Sequence, residues 1–205
     1  MRRVAFLVAV VCGALVLASG VALAVNKIGT NGPDTLQGTN KDDQLVGRGG
    51  NDTLYGRGGS DNLLGGSGKD VVIGGSRSEL SGGDMNLAGG PGNDLVIGGD
   101  GSDNVVGDAG NDYLYEVFDE YSEDTYSGGP GNDVIKASNV PASEGSKDLV
   151  TCGTGLDRVL ADRKDVVAPD CERVVIIRGS DRDVLRQFEE FIESIPESFF
   201  AGLQQ

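Results

Sequence analysis

Along most of this chain, single apolar residues return at nine-residue intervals: Leu36, Leu45, Leu54, Leu63 and Val72, then Val96, Val105 and Leu114, and later Ile135. Each stands two places after an Asp, and each Asp closes a glycine-rich stretch, as in Gly47-Arg-Gly-Gly-Asn-Asp52-Thr-Leu-Tyr55 and Gly89-Gly-Pro-Gly-Asn-Asp94-Leu-Val-Ile97. The residues after the Asp are rich in Leu, Val, Ile, Thr and Tyr, which favours short strands. The glycines favour sharp turns with exposed backbone carbonyls. One inward residue per strand cannot bury a core alone. A fixed period instead predicts a solenoid, in which stacked strands join their apolar residues into a ladder.

The register runs from Gly29 to Lys136. Five copies follow head to tail from Gly29, Gly38, Gly47, Gly56 and Gly65, three more from Gly89, Gly98 and Gly107, and a ninth from Gly128. Two stretches interrupt it, 74–88 and 116–127. In the first, Met85 stands where Asp is expected, which makes a metal site there doubtful. In the second, Asp124-Thr-Tyr126 keeps both the Asp and the apolar position.

Each copy supplies one carboxylate set in flexible backbone: Asp34, Asp43, Asp52, Asp61, Asp70, Asp94, Asp103, Asp112 and Asp133, with Asp124 and Asp157 in looser copies. A column of hard oxygen donors suits calcium. An Asp can also simply cap a turn by accepting from nearby amides. Charge favours a cation, because carboxylates one strand spacing apart, about 4.8 Å, repel by roughly 1–3 kcal/mol per pair. The chain carries 17 Lys+Arg against 32 Asp+Glu, a net charge of −15. That balance argues against nucleic-acid binding, which needs a basic footprint.

These repeats resemble the RTX, or haemolysin-type, calcium-binding nonapeptide GGxGxDxUx. The resemblance covers residues 29–136 and in looser form extends to about Val174. It implies an all-β fold, a parallel β-roll in which two nonapeptides make one turn, with calcium between turns held by the sixth-position Asp and glycine-turn carbonyls. Asp34, Asp52 and Asp70 would then line one edge, and Asp43 and Asp61 the other.

The flanks read differently. Arg2 and Arg3 precede an uncharged run from Val4 to Ala24 ending in Ala22-Leu-Ala24, so residues 1–24 are expected to be a signal peptide, with an uncleaved membrane anchor as the alternative. Residues 137–174 repeat faintly and hold Cys152 and Cys171. In an exported β-roll these would lie on adjacent turns and form a disulfide, the alternative being free or metal-binding thiols. Residues 175–205 are expected to form a capping helix and tail. Val184, Leu185, Phe188, Phe191, Ile192 and Ile195 fall on one helical face, and Pro196 ends the pattern.

The chain contains no His. That removes Ser-His-Asp triads and His-ligated zinc sites, and no catalytic constellation stands apart from the repeats. The sequence therefore reads as a non-enzyme, a secreted calcium-binding repeat protein that folds with calcium and presents a surface. The alternatives are an extracellular adhesion or matrix protein, or an accessory factor for a separate secreted enzyme. Apolar ninth-position residues such as Tyr55, Leu64, Ile73 and Ile97 give the adhesion reading its outward strip. The partners implied are calcium ions and a cell-surface, matrix or protein partner.

Overall fold

A computed structural model describes residues 23–75, 86–115, 122–137 and 146–177. The expected signal segment up to residue 22, Met85 and the expected helix at 183–195 lie outside the described residues. Sixteen strands are found among the described residues, and no helix. In chain order they are β1 (Asn26–Ile28), β2 (Thr35–Gln37), β3 (Gln44–Gly49), β4 (Thr53–Arg57), β5 (Asn62–Ser67), β6 (Val71–Gly75), β7 (Asn86–Ala88) and β8 (Leu95–Ile97). There follow β9 (Asn104–Val106), β10 (Tyr113–Tyr115), β11 (Thr125–Pro130), β12 (Val134–Lys136), β13 (Leu149–Thr154), β14 (Arg158–Ala161), β15 (Val166–Val167) and β16 (Arg173–Ile176).

Odd-numbered strands form one sheet and even-numbered strands the other, each in running order, and every pairing is parallel. Two repeats therefore make one turn of a parallel β-roll. Register follows the nonapeptide: Leu45 pairs with Leu63, Leu63 with Leu87 and Leu87 with Val105 in the odd sheet. Leu54 pairs with Val72, Val72 with Val96 and Val96 with Leu114 in the even sheet.

Alternation along each strand sends the middle residue inward. Leu45, Leu54, Leu63, Val72, Leu87, Val96, Val105, Leu114, Tyr126, Ile135, Val150 and Val159 form one continuous cluster and are fully buried. Each such side chain contributes about 1.5–3 kcal/mol of hydrophobic stabilisation, but only with a neighbouring turn in place. The last strand ends at Ile176, so the roll runs slightly past the boundary at 174 expected from the fading period.

The two edges of the roll differ. Loops from an odd to an even strand make the first edge, and those from an even to an odd strand the second. Segments 76–85, 116–121 and 138–145 follow β6, β10 and β12, so all three insertions leave from the second edge.

Candidate metal centre

The Asp that closes each loop leads into a strand, and all but Asp34 and Asp165, which are half-buried, are buried. Along the first edge, Oδ1 of Asp52 accepts from the Asp34 amide at 2.8 Å, and Asp70 from Asp52 at 2.8 Å. The row continues with Asp94 accepting from Asp70 at 2.7 Å, Asp112 from Asp94 at 2.8 Å, Asp133 from Asp112 at 2.9 Å and Asp157 from Asp133 at 2.8 Å. Glu172 closes it, accepting from the Asp157 amide at 2.9 Å. Each carboxylate thus caps the backbone of the turn before it.

Along the second edge the same bond joins Asp61 to the Asp43 amide at 2.8 Å, Asp124 to that of Asp103 at 2.8 Å and Asp148 to that of Asp124 at 3.0 Å. Asp165 accepts from the Asp148 amide at 3.1 Å. By the repeat period the member of this row between Asp61 and Asp103 is Met85, a residue with no carboxylate.

Turn capping occupies only one oxygen of each group. Oδ2 of Asp52, Asp70, Asp94, Asp112, Asp133, Asp148 and Asp157 is buried without a hydrogen-bond partner. Such atoms cost about 1–3 kcal/mol each, and more if charged, unless something binds them. The first loop of each edge is relieved internally: Thr30 donates to Asp34 Oδ2 through its amide (2.6 Å) and its hydroxyl (2.9 Å), and the Thr39 amide donates to Asp43 Oδ2.

The orphaned oxygens face a specific space. A methyl placed on Gly29 would lie 2.5 Å from the Gly47 carbonyl oxygen and 2.7 Å from Asp34 Oδ2. On Gly65 it would meet the Gly89 oxygen at 2.6 Å and Asp70 Oδ2 at 2.7 Å, and on Gly107 both Asp112 Oδ2 and the Gly128 oxygen at 2.6 Å. Glycine is required at the head of the loop because a carboxylate and the next turn's carbonyl converge where a side chain would sit. Donors that are all oxygen, part carboxylate and part carbonyl, suit calcium rather than zinc or copper. Among the described residues no three acidic or Cys side chains gather into a cage, so backbone carbonyls must complete any such shell.

The electrostatics agree. Burial pushes the carboxyls of Asp94, Asp112 and Asp133 up to about 7 and that of Asp70 up to about 6, with the preceding carboxylate in the row adding to the rise and the capped amide opposing it. Asp52 and Asp157 rise for the same main reason. On the second edge burial raises Asp148 to about 7, helped by the charges of Asp165 and Asp162, and Asp165 to about 6. Protons and a cation compete for these groups.

The closing turns are built differently. The loop ending at Asp157 opens with Cys152 in place of Gly, and the neighbouring second-edge loops open at Ala137 and Ala161. These three side chains join the apolar core. Cys152 is bonded to Cys171, with Sγ–Sγ 2.02 Å and Cα–Cα 5.2 Å. Asp165 spends its second oxygen on the Asp162 amide at 2.6 Å. Asp148, Asp165 and Glu172 belong to the capping rows although the nonapeptide pattern omits them. Their only signal was the surviving acid-x-apolar triplet, Asp148-Leu-Val150, Asp165-Val-Val167 and Glu172-Arg-Val174.

With this geometry established, comparison with known families gives a consistent result. The RTX calcium-binding nonapeptide repeat matches four segments, 28–63, 46–76, 81–114 and 121–139. The chain belongs to that family, and is a calcium-binding structural repeat module. No curated protein matches the chain.

Proposed function

We propose that this protein is a secreted, non-enzymatic module whose roll assembles as calcium binds, and that it then presents a rigid surface outside the cell. The observation that carries this reading is the unbroken first-edge row of buried Oδ2 atoms lacking partners at Asp52, Asp70, Asp94, Asp112 and Asp133. A cation at each glycine-headed loop, held by that loop's Asp and the next turn's carbonyl, would neutralise the row and join neighbouring turns. Calcium supplies positive charge and a flexible oxygen-rich shell there; the chain supplies loops that only glycine permits. Binding free energy then appears as folding free energy, and the transition is cooperative because each ion needs two turns. Extracellular modules bind calcium at about 10⁻⁴–10⁻³ M, which keeps the chain unfolded before export.

Secretion is supported by the signal-like start and by the Cys152–Cys171 disulfide, since such bonds persist in oxidising compartments. An adhesive role draws on the outward apolar residues, among them Tyr55 and Leu64 at 36% and 39% exposure. Calcium titration followed by far-ultraviolet circular dichroism tests the main reading. A cooperative gain of strand signal is expected, and a chelated protein with full strand content would refute it.

A further inference from the structure

The second residue of a loop governs how the loop's Asp is used. On the first edge, in the loops beyond the first turn, this residue stands in the left-handed region: Arg48, Gly66, Gly90, Asp108, Gly129 and Gly153 have φ between 70° and 110°. Arg57 on the second edge does the same, with φ 85°. Glycine takes that conformation freely, Arg and Asp less readily, and a β-branched residue hardly at all. In the loops headed by Gly29 and Gly38 the same place is held by Thr30 and Thr39, and neither has a positive φ.

This change of backbone turns donors onto the carboxylate. With φ positive, the amides of Gly66 and Gly90 run on to the next turn, donating to the carbonyls of Gly89 (2.9 Å) and Gly107 (3.1 Å). Oδ2 of Asp70 and of Asp94 is then left without a partner. With Thr in place the amide turns back into its own loop. The Thr30 amide and hydroxyl both donate to Asp34 Oδ2, at 2.6 and 2.9 Å, and the hydroxyl oxygen accepts from the Gly32 amide at 3.1 Å. The Thr39 amide donates to Asp43 Oδ2, and its hydroxyl oxygen accepts from the Lys41 amide at 3.2 Å. Oδ1 of Asp43 is taken by the Val25 amide at 2.5 Å. Both oxygens of Asp43 and Oδ2 of Asp34 thus have donors within the protein, and no cation is needed to satisfy them.

We infer that Thr30 and Thr39 close the first loop of each edge to calcium, so that the first turn of the roll is a self-capped, metal-free end. The inference rests on the calcium reading and narrows it: Asp34 and Asp43 serve as internal acceptors, and Asp52 is the first calcium ligand of its row. One loop position then sets the state, glycine or an unbranched side chain giving an open loop and threonine a closed one. The Gly29 loop keeps the converging Gly47 carbonyl, 2.5 Å from where a side chain would begin. It lacks only a carboxylate oxygen free to join it.

Reciprocal substitutions in the full-length protein test this, with bound calcium counted by equilibrium dialysis at saturation and strand content followed by circular dichroism. Thr30→Gly should free Asp34 Oδ2 beside the Gly47 carbonyl and raise the count by one ion. Arg48→Thr should close the Gly47 loop and lower the count by one. Arg48→Gly, at a position whose φ already suits glycine, should leave the count unchanged. Arg48 is exposed, so neither exchange removes a core contact. Should Arg48→Thr still lose its strand signal, the Thr30→Gly count settles the matter. An unchanged count in Thr30→Gly, or a folded Arg48→Thr that binds as many ions as Arg48→Gly, would overturn the inference. Failure of the calcium reading would show separately, as a parent protein that binds no ions or keeps its strand signal in chelator.

Discussion

The two edges of the roll carry the same nine-residue motif and treat it differently. On the first edge, six successive loops open with glycine, at Gly29, Gly47, Gly65, Gly89, Gly107 and Gly128, and end on an Asp whose Oδ1 caps or continues the row. For the second edge the repeat period gives Met85 in place of one Asp, and the extra residues of the sequence follow β6, β10 and β12. The difference shows what the motif tolerates. Extra chain can bulge from one edge at small entropic cost, since closure entropy grows slowly with loop length. The cap survives there, Asp124 accepting from the Asp103 amide and Asp148 from the Asp124 amide, because the capping Asp stands after the added residues. The loops of the first edge keep one length from Gly29 to Asp133, and the added residues all follow even-numbered strands.

Four changes would break or sharpen that comparison. The largest effect is expected for Asp94→Ala, central on the first edge. It leaves the buried Asp70 amide without its acceptor and removes one ion's donor, together about 3–5 kcal/mol at saturating calcium. Asp165→Ala, in the degenerate part of the second edge, should shift the calcium midpoint far less. Urea unfolding of both variants at high calcium would decide, and equal losses would erase the distinction between edges.

Next comes Cys152→Ser with Cys171→Ser. Loss of the crosslink should cost about 3 kcal/mol, without changing the number of calcium ions bound, because Cys152 heads a loop with no glycine space. Equilibrium dialysis beside unfolding curves would measure both. A lower ion count in the variant would place a site in the closing turns after all.

A smaller effect should appear with pH in chelator. Burial raises Asp70, Asp94, Asp112 and Asp133 to about 6 or 7 in the folded roll, whereas unfolded Asp titrates at about 3.9. The folded state therefore binds protons more tightly, so the metal-free roll gains stability as pH falls from about 8 towards 4. This is the reverse of a salt-bridged Asp. Strand signal in chelator should therefore be greater at pH 5.5 than at 7.5, and calcium should bind more weakly at the lower pH. Less strand signal in chelator at pH 5.5 than at 7.5 would contradict the burial of these groups.

The smallest effect is expected from shortening the second edge. Deleting residues 76–81 restores the eighteen-residue spacing seen between Asp52 and Asp70, and should alter stability by less than about 1 kcal/mol. Inserting six residues after Gly107 on the first edge should be far more damaging.

Much of this architecture was legible in the chain. The apolar ladder follows from the nine-residue period, which fixes the inward residue and the loop, while the two-repeat turn and the partition of Asp34, Asp52 and Asp70 from Asp43 and Asp61 are what the resemblance to RTX repeats implies. What the pattern concealed was the division of labour within each carboxylate. One oxygen caps backbone and one is left for a cation, which depends on the register between turns. Asp148, Asp165 and Glu172 are hard to read as members of the rows because the stretches before them no longer carry the glycine pattern, although the capping role persists. The core-filling role of Ala137, Cys152 and Ala161 was hidden for a related reason: a side chain at the head of a loop reads as decay of the motif, yet here it packs inside.

The most direct test of the central claim is amide hydrogen exchange on the full-length protein with calcium and with chelator, read along the first edge. The account predicts that the amides of Asp52, Asp70, Asp94 and Asp112, each bonded to the next carboxylate in the row, become strongly protected together as calcium is added and exchange freely without it. Equal protection of these four amides in chelator at neutral pH would contradict it.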